Sequence, residues 1–153
     1  MTAITPFLWF DDKLEEAMGL YTSVFPDGKI TNVQRMGPDG PVFTASFELA
    51  GQKFHGLNGG PAFAFTEAVS FFVACKDQAE VDHYWNALTA DGGSESMCGW
   101  LKDKFGLSWQ IVPDALMRAL YSSDRAGAER AQQALLKMKK IDVAEIERAY
   151  KGA

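Results

Sequence analysis

The sequence predicts an α+β fold made of two tandem βαβββ modules that form a curved sheet around a cleft, followed by a C-terminal helical tail. The main observation is a repeat. An apolar strand that contains Pro6 is followed by a helix closing on Tyr21. A strand opening at Ser70 is followed by a helix reaching Trp85, so Ser70 and Trp85 each lie 64 residues after their counterparts. Two copies are too few for a solenoid array, so we expect the modules to meet around a shared cleft.

A change of composition after Pro113 marks the end of the repeated part, because the rest of the chain is rich in Ala, Lys and Glu. We expect one domain over residues 1–113, with modules of about 4–60 and 68–113, and a helical extension over residues 114–153.

The first module follows from local signals. Asp12 and Glu15 have the spacing of a capping box and predict the helix start, while Pro26, Asp27 and Gly28 form a turn that ends the helix. Stretches of strand-forming residues separated by glycine-rich and proline-rich turns follow. The predicted elements are a strand over 5–10, a helix over 13–25, and strands over 29–36, 42–49 and 52–57.

The second module and the tail are read in the same way, with Asp77, Asp124 and Asp142 as helix caps. The predicted elements are strands over 70–75, 95–101 and 108–112, a helix that Asp77 opens and Gly92 ends, and tail helices over 114–121, 125–140 and 143–151.

Apolar stripes in the tail need a partner surface, and we expect a homodimer because one small domain cannot easily cover all of them. These stripes include Leu135, Met138, Ile146 and Tyr150.

Charge and hydropathy exclude two classes of partner. The chain of 153 residues carries a net charge of −5, and its first 113 residues hold 7 Lys and Arg against 14 Asp and Glu, so we expect no nucleic-acid partner. The longest apolar run, near 68–75, is far short of the roughly 20 residues that cross a bilayer, so we expect no membrane partner. The absence of a leader-like start and the presence of only two cysteines favour a cytoplasmic protein with reduced thiols.

Three segments carry a resemblance to a known family: residues 51–61, residues 98–106 and residues 138–142. Together with the pattern Asp103, Gly106, Gln110 in the last strand, they resemble the PhnB-like branch of the vicinal-oxygen-chelate superfamily of glyoxalases, bleomycin-resistance proteins, fosfomycin-resistance proteins and extradiol dioxygenases. Members of this branch are often labelled 3-demethylubiquinone-9 3-methyltransferase. The resemblance implies the glyoxalase-like arrangement of the two modules and a small-molecule ligand.

The resemblance also implies where a metal would be held. Catalytic members of the superfamily use four cleft-facing positions, and the family's spacing places Pro6, His55, Ser70 and Gln110 there. Proline has no side-chain donor atom, and the hydroxyl of Ser70 and the amide of Gln110 are weak neutral ligands. His55 is therefore the one strong ligand at the four positions, whereas a catalytic zinc usually has three protein ligands. We therefore expect no metal and no cofactor.

Individual residues leave alternatives open. His55 has the chemistry of a general base but also that of a hydrogen-bonded lining residue. Cys98, expected on a strand with Trp100, is a thiolate candidate or a small apolar packing group. We assign no catalytic residue. Alternation along the strands directs Phe7, Trp9, Phe71 and Trp109 toward the helices and leaves Leu8, Phe10 and Phe72 for the cleft.

The methyltransferase label does not match the sequence, because no glycine-rich turn follows a first strand as S-adenosylmethionine binding in a Rossmann-type fold requires. We interpret the chain as a protein that binds a small, partly apolar molecule in a metal-free cleft lined by Leu8, His55, Phe72, Cys98 and Gln110. The alternatives are a metal-dependent lyase or dioxygenase of the same superfamily and a vestigial cleft in a protein that only assembles.

Overall fold

The computed structural model describes residues 1–153 and divides them into two compact units, Met1–Phe65 and Thr66–Ala153. Each unit contains a four-stranded mixed sheet, with strand order β1-β4-β3-β2 in the first and β5-β8-β7-β6 in the second. The elements are β1 Phe7–Phe10, α1 Leu14–Val24, β2 Lys29–Arg35, β3 Val42–Leu49, β4 Gln52–Asn58, β5 Ser70–Cys75, α2 Gln78–Thr89, β6 Ser94–Glu95, β7 Trp100–Lys102, β8 Ser108–Pro113, α3 Asp114–Leu120, α4 Arg125–Leu135 and α5 Val143–Lys151. The predicted α+β class, the two βαβββ modules and the helical tail are confirmed.

The start of α1 differs from the prediction. Lys13, not Asp12, is the N-cap residue, and its side chain makes no capping hydrogen bond. The backbone N–H of Leu14 instead donates to Oδ1 of Asn58 at 2.9 Å, while Nδ2 of Asn58 donates to the carbonyl of Val42 at 3.0 Å. The Asn58 side chain at the end of β4 thus provides an acceptor for a backbone N–H in the first turn of α1 and links the helix to the sheet. A local capping pattern cannot reveal such a distant partner.

The second unit confirms the Asp77 cap, whose carboxylate accepts a hydrogen bond from the backbone N–H of Glu80. The single strand predicted over 95–101 is wrong, because β6 ends at Glu95 and β7 begins at Trp100. Residues 96–99 form a turn in which the N–H of Ser96 and the carbonyl of Trp100 are 2.9 Å apart across the hairpin. Every side chain in this turn therefore leaves the strand alternation.

The C-terminal helices pack within the second unit. Asp124 and Asp142 cap α4 and α5 as predicted, but α4 ends at Leu135 and not at residue 140. The segment beyond it returns to the sheet, where the N–H groups of Cys98 and Gly99 donate to the carbonyls of Met138 and Lys139 at 2.7 and 2.8 Å. None of the helices is long and apolar enough to cross a membrane.

The tail's apolar stripes are covered inside this unit. The buried cluster there consists of Val112, Leu116, Ala119, Ala131, Ile141 and Ile146. Leu135, Met138 and Tyr150 are partly buried against it. The stripes therefore do not require a second copy of the chain, and the homodimer loses the observation from which it was inferred. The oligomeric state itself stays a prediction.

Candidate functional site

The two faces of the first sheet differ in what covers them. A Cβ added to Gly56 would lie 2.5 Å from the side chain of Leu14 in α1, so Gly56 faces the helix. Leu8 pairs with Gly56 and is 6% exposed, whereas Phe7 pairs with His55 and is 56% exposed. Phe7 and His55 thus share the open face, which we define as the sheet face opposite the helix. Leu8 lies on the helix face, so its predicted place in the cleft is wrong.

A one-residue offset explains this error. Phe7 lies opposite His55 in β4, and Phe72 lies opposite Gln110 in β8, so the two first strands correspond at a distance of 65 residues. The helices instead repeat at 64, the distance that fixed the predicted faces. Because alternate strand residues point to opposite faces, a shift of one residue reverses the assignment for every residue of β1. Phe10 and Leu8 are buried, and Phe7 is not.

His55 is held by two neighbours on the open face. Its Nδ1 lies 2.7 Å from Oγ of Ser46, the residue directly opposite on β3. Its ring centroid is 5.6 Å from that of Phe7, at an angle of 49°. The hydroxyl and the ring together fix the imidazole orientation and leave Nε2 as the nitrogen not engaged by Ser46.

A depression of about 240 Å³ surrounds this histidine. Its walls come from β1, β2, β3 and β4, and they are formed by Phe7, Asn32, Gln34, Thr44, Ala45, Ser46 and His55. Thr44 donates a hydrogen bond to Oε1 of Gln34 at 3.1 Å, which gives a second polar pair across neighbouring strands. Sequence reasoning identified His55 but missed the polar residues of β2 and β3, because only the hairpin register brings them beside it.

The second unit places Phe72 and Gln110 on one face, as predicted. Phe72 is 50% exposed and lies opposite Gln110, whose Nε2 donates to Oγ of Ser70 at 2.9 Å. Phe71 and Trp109 lie on the other face, with ring centroids 5.6 Å apart, as the alternation of β5 and β8 predicted. The side-chain amide of Gln110 is therefore engaged with a neutral hydroxyl.

Ser108 lies opposite Ser70 at the start of β8. Its side chain is 1% exposed, and its Oγ has no hydrogen-bond partner. A buried hydroxyl without a partner costs stability, so Ser108 destabilises the second unit.

Asp103 explains part of the motif that leads to Gln110. Its carboxylate is 2% exposed and accepts hydrogen bonds from the backbone N–H groups of Phe105 and Leu107 and from the Trp109 indole, at 2.9 to 3.1 Å. The turn passes through Gly106 at φ +87°. Asp103 thus fixes the start of β8, on which Gln110 is carried.

Cys98 lies in the turn between β6 and β7, not on a strand as predicted. It has φ +60°, a conformation that costs a non-glycine residue energy, and its N–H is held by the carbonyl of Met138. Both cysteines are free thiols. Cys75 is fully buried, and burial together with the charge of Glu80 raises the pKa of its thiol to about 12.

The residues at the four family positions do not fit a divalent metal. His55 is the one strong ligand type among them, and one imidazole falls short of the three protein ligands usual at a catalytic zinc. Ser70 and Gln110 bond to each other. No three His, Cys, Asp or Glu side chains lie together in a group able to hold a metal ion. Neutral hydroxyl and amide groups offset the dehydration of a dication poorly.

The glycine pair Gly59 and Gly60 has a packing role. A Cβ on Gly59 would lie 2.4 Å from the ring of Trp9, and the Trp9 indole donates to the carbonyl of Gly60 at 2.9 Å. The two glycines therefore pack against the Trp9 indole at the end of β1. Both sheets also mix parallel and antiparallel pairs, unlike the parallel βα units of a Rossmann fold.

Comparisons with known proteins agree with this geometry. The family model described as 3-demethylubiquinone-9 3-methyltransferase matches residues 2–112. The PhnB protein from Bacillus cereus is 35% identical over 73% of this chain and 99% of its own, with a TM-score of 0.68. No curated protein gives a significant match.

Two more distant structures share the fold. A protein from Pseudomonas aeruginosa is 21% identical, covers 74% of this chain and 98% of its own, and has a TM-score of 0.62. The fosfomycin-resistance protein FosX from Listeria monocytogenes, solved with Mn(II) and sulfate, is 14% identical, covers 71% and 89%, and has a TM-score of 0.51. The chain shares the fold of the fosfomycin-resistance protein, and it belongs to the 3-demethylubiquinone-9 3-methyltransferase family of PhnB-like proteins.

Proposed function

We propose that this protein binds a small, partly apolar molecule without a metal, and that each unit offers a candidate surface: the open face that carries His55 in the first unit and the sheet face that carries Phe72 and Gln110 in the second. One observation carries the proposal. His55 has no further strong ligands grouped with it, and both His55 and Gln110 are paired with neutral hydroxyls of neighbouring strands, His55 with Ser46 and Gln110 with Ser70. Such pairs suit recognition of uncharged hydrogen-bonding groups.

Exposed aromatic rings beside these pairs support the apolar part of the proposal. Phe7 and Phe72 are each half exposed next to a polar pair, and burying such a ring against a ligand gives a favourable free energy of association. Cys98 belongs to the proposed lining as a half-buried thiol, and Leu8 does not, because it is buried on the helix face. We assign no reaction.

We infer that the family's methyltransferase name does not describe the chemistry of this chain. The glycines that a cofactor turn would need have packing roles at the ends of β1 and α2, as at Gly59 and Gly93, where an added Cβ would approach other atoms within 2.4 and 2.7 Å. The name would be restored by saturable S-adenosylmethionine binding measured by calorimetry.

Native mass spectrometry of protein purified under non-denaturing conditions tests the binding function. We expect an adduct of a few hundred daltons or less, diminished by His55→Ala and by Gln110→Leu. The matched control is His83→Gln, since His83 is exposed on α2 and takes no part in the proposed lining. The proposal fails if no adduct appears and no compound in a neutral fragment library raises the melting temperature.

We also propose a homodimer, now on a different feature. β2 is an edge strand in which all seven residues are exposed, among them Ile30 and Val33, and its free backbone N–H and C=O groups can pair with the same strand of a second chain. Light scattering at micromolar concentration should give about twice 16.8 kDa. A mass near 16.8 kDa would exclude the dimer.

We also propose a cytoplasmic location, since both cysteines are free thiols.

A further inference from the structure

The depression beside His55 has an uncharged wall. Its polar groups are the amides of Asn32 and Gln34 and the hydroxyls of Thr44 and Ser46, together with the imidazole. No Lys, Arg, Asp or Glu side chain lines it. Binding a charged group there would remove solvent from the charge without supplying an opposite charge, and this cost disfavours ions of either sign.

The size and the aromatic groups of the depression specify the apolar part of the ligand. Phe7 is 56% exposed, and its ring meets the His55 ring at 49° with centroids 5.6 Å apart. Two tilted rings form an apolar corner against which a planar group can pack by offset or edge contact. The volume of about 240 Å³ exceeds the roughly 150 Å³ of a cavity that holds benzene, so one ring with substituents fits.

The two polar pairs specify the substituent. Ser46 engages Nδ1 of His55 at 2.7 Å, so Nε2 is the ring nitrogen available to a ligand. Thr44 donates to Oε1 of Gln34 at 3.1 Å, which leaves the Gln34 amide nitrogen as a donor on the same wall. A group that both donates and accepts hydrogen bonds, such as an amide or a hydroxyl, matches this set.

We propose that the open face of the first unit recognises a neutral, single-ring aromatic molecule that carries an amide or hydroxyl group, and that it discriminates against the corresponding carboxylate. The ring packs on Phe7, and the substituent bonds to the Gln34 and His55 side chains. Ser46 is a positioning residue that sets which imidazole nitrogen meets the ligand. The inference rests on the small-molecule function proposed above and adds the substrate class.

Benzamide and benzoate test this directly, because they have nearly the same shape and differ in charge. The full-length protein, labelled with ¹⁵N, is titrated with each compound at pH 7.5 and followed by amide chemical shifts. We expect saturable shifts with benzamide in β1, β2, β3 and β4, and an affinity for benzoate weaker by about tenfold or more. Gln34→Ala and Ser46→Ala should each weaken benzamide binding by roughly three- to tenfold.

His83→Gln is the control and should leave the benzamide affinity unchanged, since His83 is exposed on α2. Spectra of each variant without ligand show whether it is folded, and Ser46→Thr, which keeps the hydroxyl, should retain more affinity than Ser46→Ala. Equal or tighter binding of benzoate, shifts confined to the second unit, or no saturable binding of benzamide would each overturn the inference. A charged co-purified molecule would overturn it while leaving the small-molecule function intact.

Discussion

Replacement of Asp103 should reveal how the start of β8 is held. Its buried carboxylate accepts hydrogen bonds from the N–H groups of Phe105 and Leu107 through Oδ1 and from the Trp109 indole through Oδ2. Asp103→Asn keeps one acceptor and turns an amide NH₂ toward either the indole or the backbone donors. One buried donor then loses its partner, which costs about 1 to 3 kcal/mol of unfolding free energy.

Asp103→Ala removes the whole acceptor set. Leu107 and Trp109 are each 3% exposed, so their donors cannot turn to solvent, whereas Phe105 is only partly buried. Two buried donors without partners cost about 3 to 5 kcal/mol, a large share of the 5 to 15 kcal/mol typical of a domain. Urea denaturation followed by far-UV circular dichroism measures both variants.

A double-mutant cycle isolates the indole bond. Trp109→Phe removes the donor, so Asp103→Asn should cost about 1 to 2 kcal/mol less in the Trp109→Phe background than in the wild type. The reasoning is refuted if Asp103→Asn stays within about 0.5 kcal/mol of the wild type or if the two changes are additive.

Three further predictions concern single side chains. Gly99 has φ +84°, and an added Cβ would lie 2.7 Å from Ile141, so Gly99→Ala should lower the free energy of unfolding in denaturant by about 2 to 4 kcal/mol. Gly106 has φ +87° but no atom within 4 Å of an added Cβ, so Gly106→Ala should lower it by only about 1 to 2 kcal/mol. Ser108→Ala should raise the unfolding free energy by about 1 kcal/mol, because it removes an unpartnered buried hydroxyl. Cys75 should resist iodoacetamide at pH 8 in the native state. Because its pKa is raised to about 12 in the folded state, its contribution to stability should be complete below about pH 9 and fall between about pH 9 and 12, a decline that Cys75→Ala removes.

Each of these has a clear contrary result. Equal costs for the two glycine variants would show that Ile141 does not restrict Gly99. A loss of stability in Ser108→Ala would mean that its hydroxyl has a partner in solution. Rapid alkylation of native Cys75, identified by peptide mass spectrometry, would contradict its burial.

Most of the secondary structure could be predicted from the sequence, because hydrophobic alternation and helix caps are local signals. The strands over 42–49 and 70–75 were predicted to the residue, and the Asp77, Asp124 and Asp142 caps were predicted correctly. Errors occurred where a distant residue decides the local structure. Asn58 replaces the expected Asp12 cap of α1 from 44 residues away.

The candidate site was less predictable for the same reason. The sheet face on which Leu8 lies was predicted from the repeat distance of the helices, which is one residue shorter than that of the first strands. Nothing in the composition of the strands indicates this difference. The position of Cys98 depends on Met138 in the C-terminal tail, whose carbonyl accepts a hydrogen bond from the N–H of Cys98 in the turn. The Ser46 partner of His55 follows from the β3 and β4 register, which the turn at Ala50 and Gly51 sets.

The central claim, that the proposed binding surfaces work without a metal, is tested most directly by elemental analysis of protein purified without chelators or added ions. We predict Zn, Mn, Ni and Fe far below one atom per chain, with no change between the wild type and His55→Ala, because His55 alone cannot hold a dication and the other family positions lack strong ligands. A near-stoichiometric metal that disappears in His55→Ala and remains in His83→Gln would contradict the account and favour a metal-dependent lyase or dioxygenase.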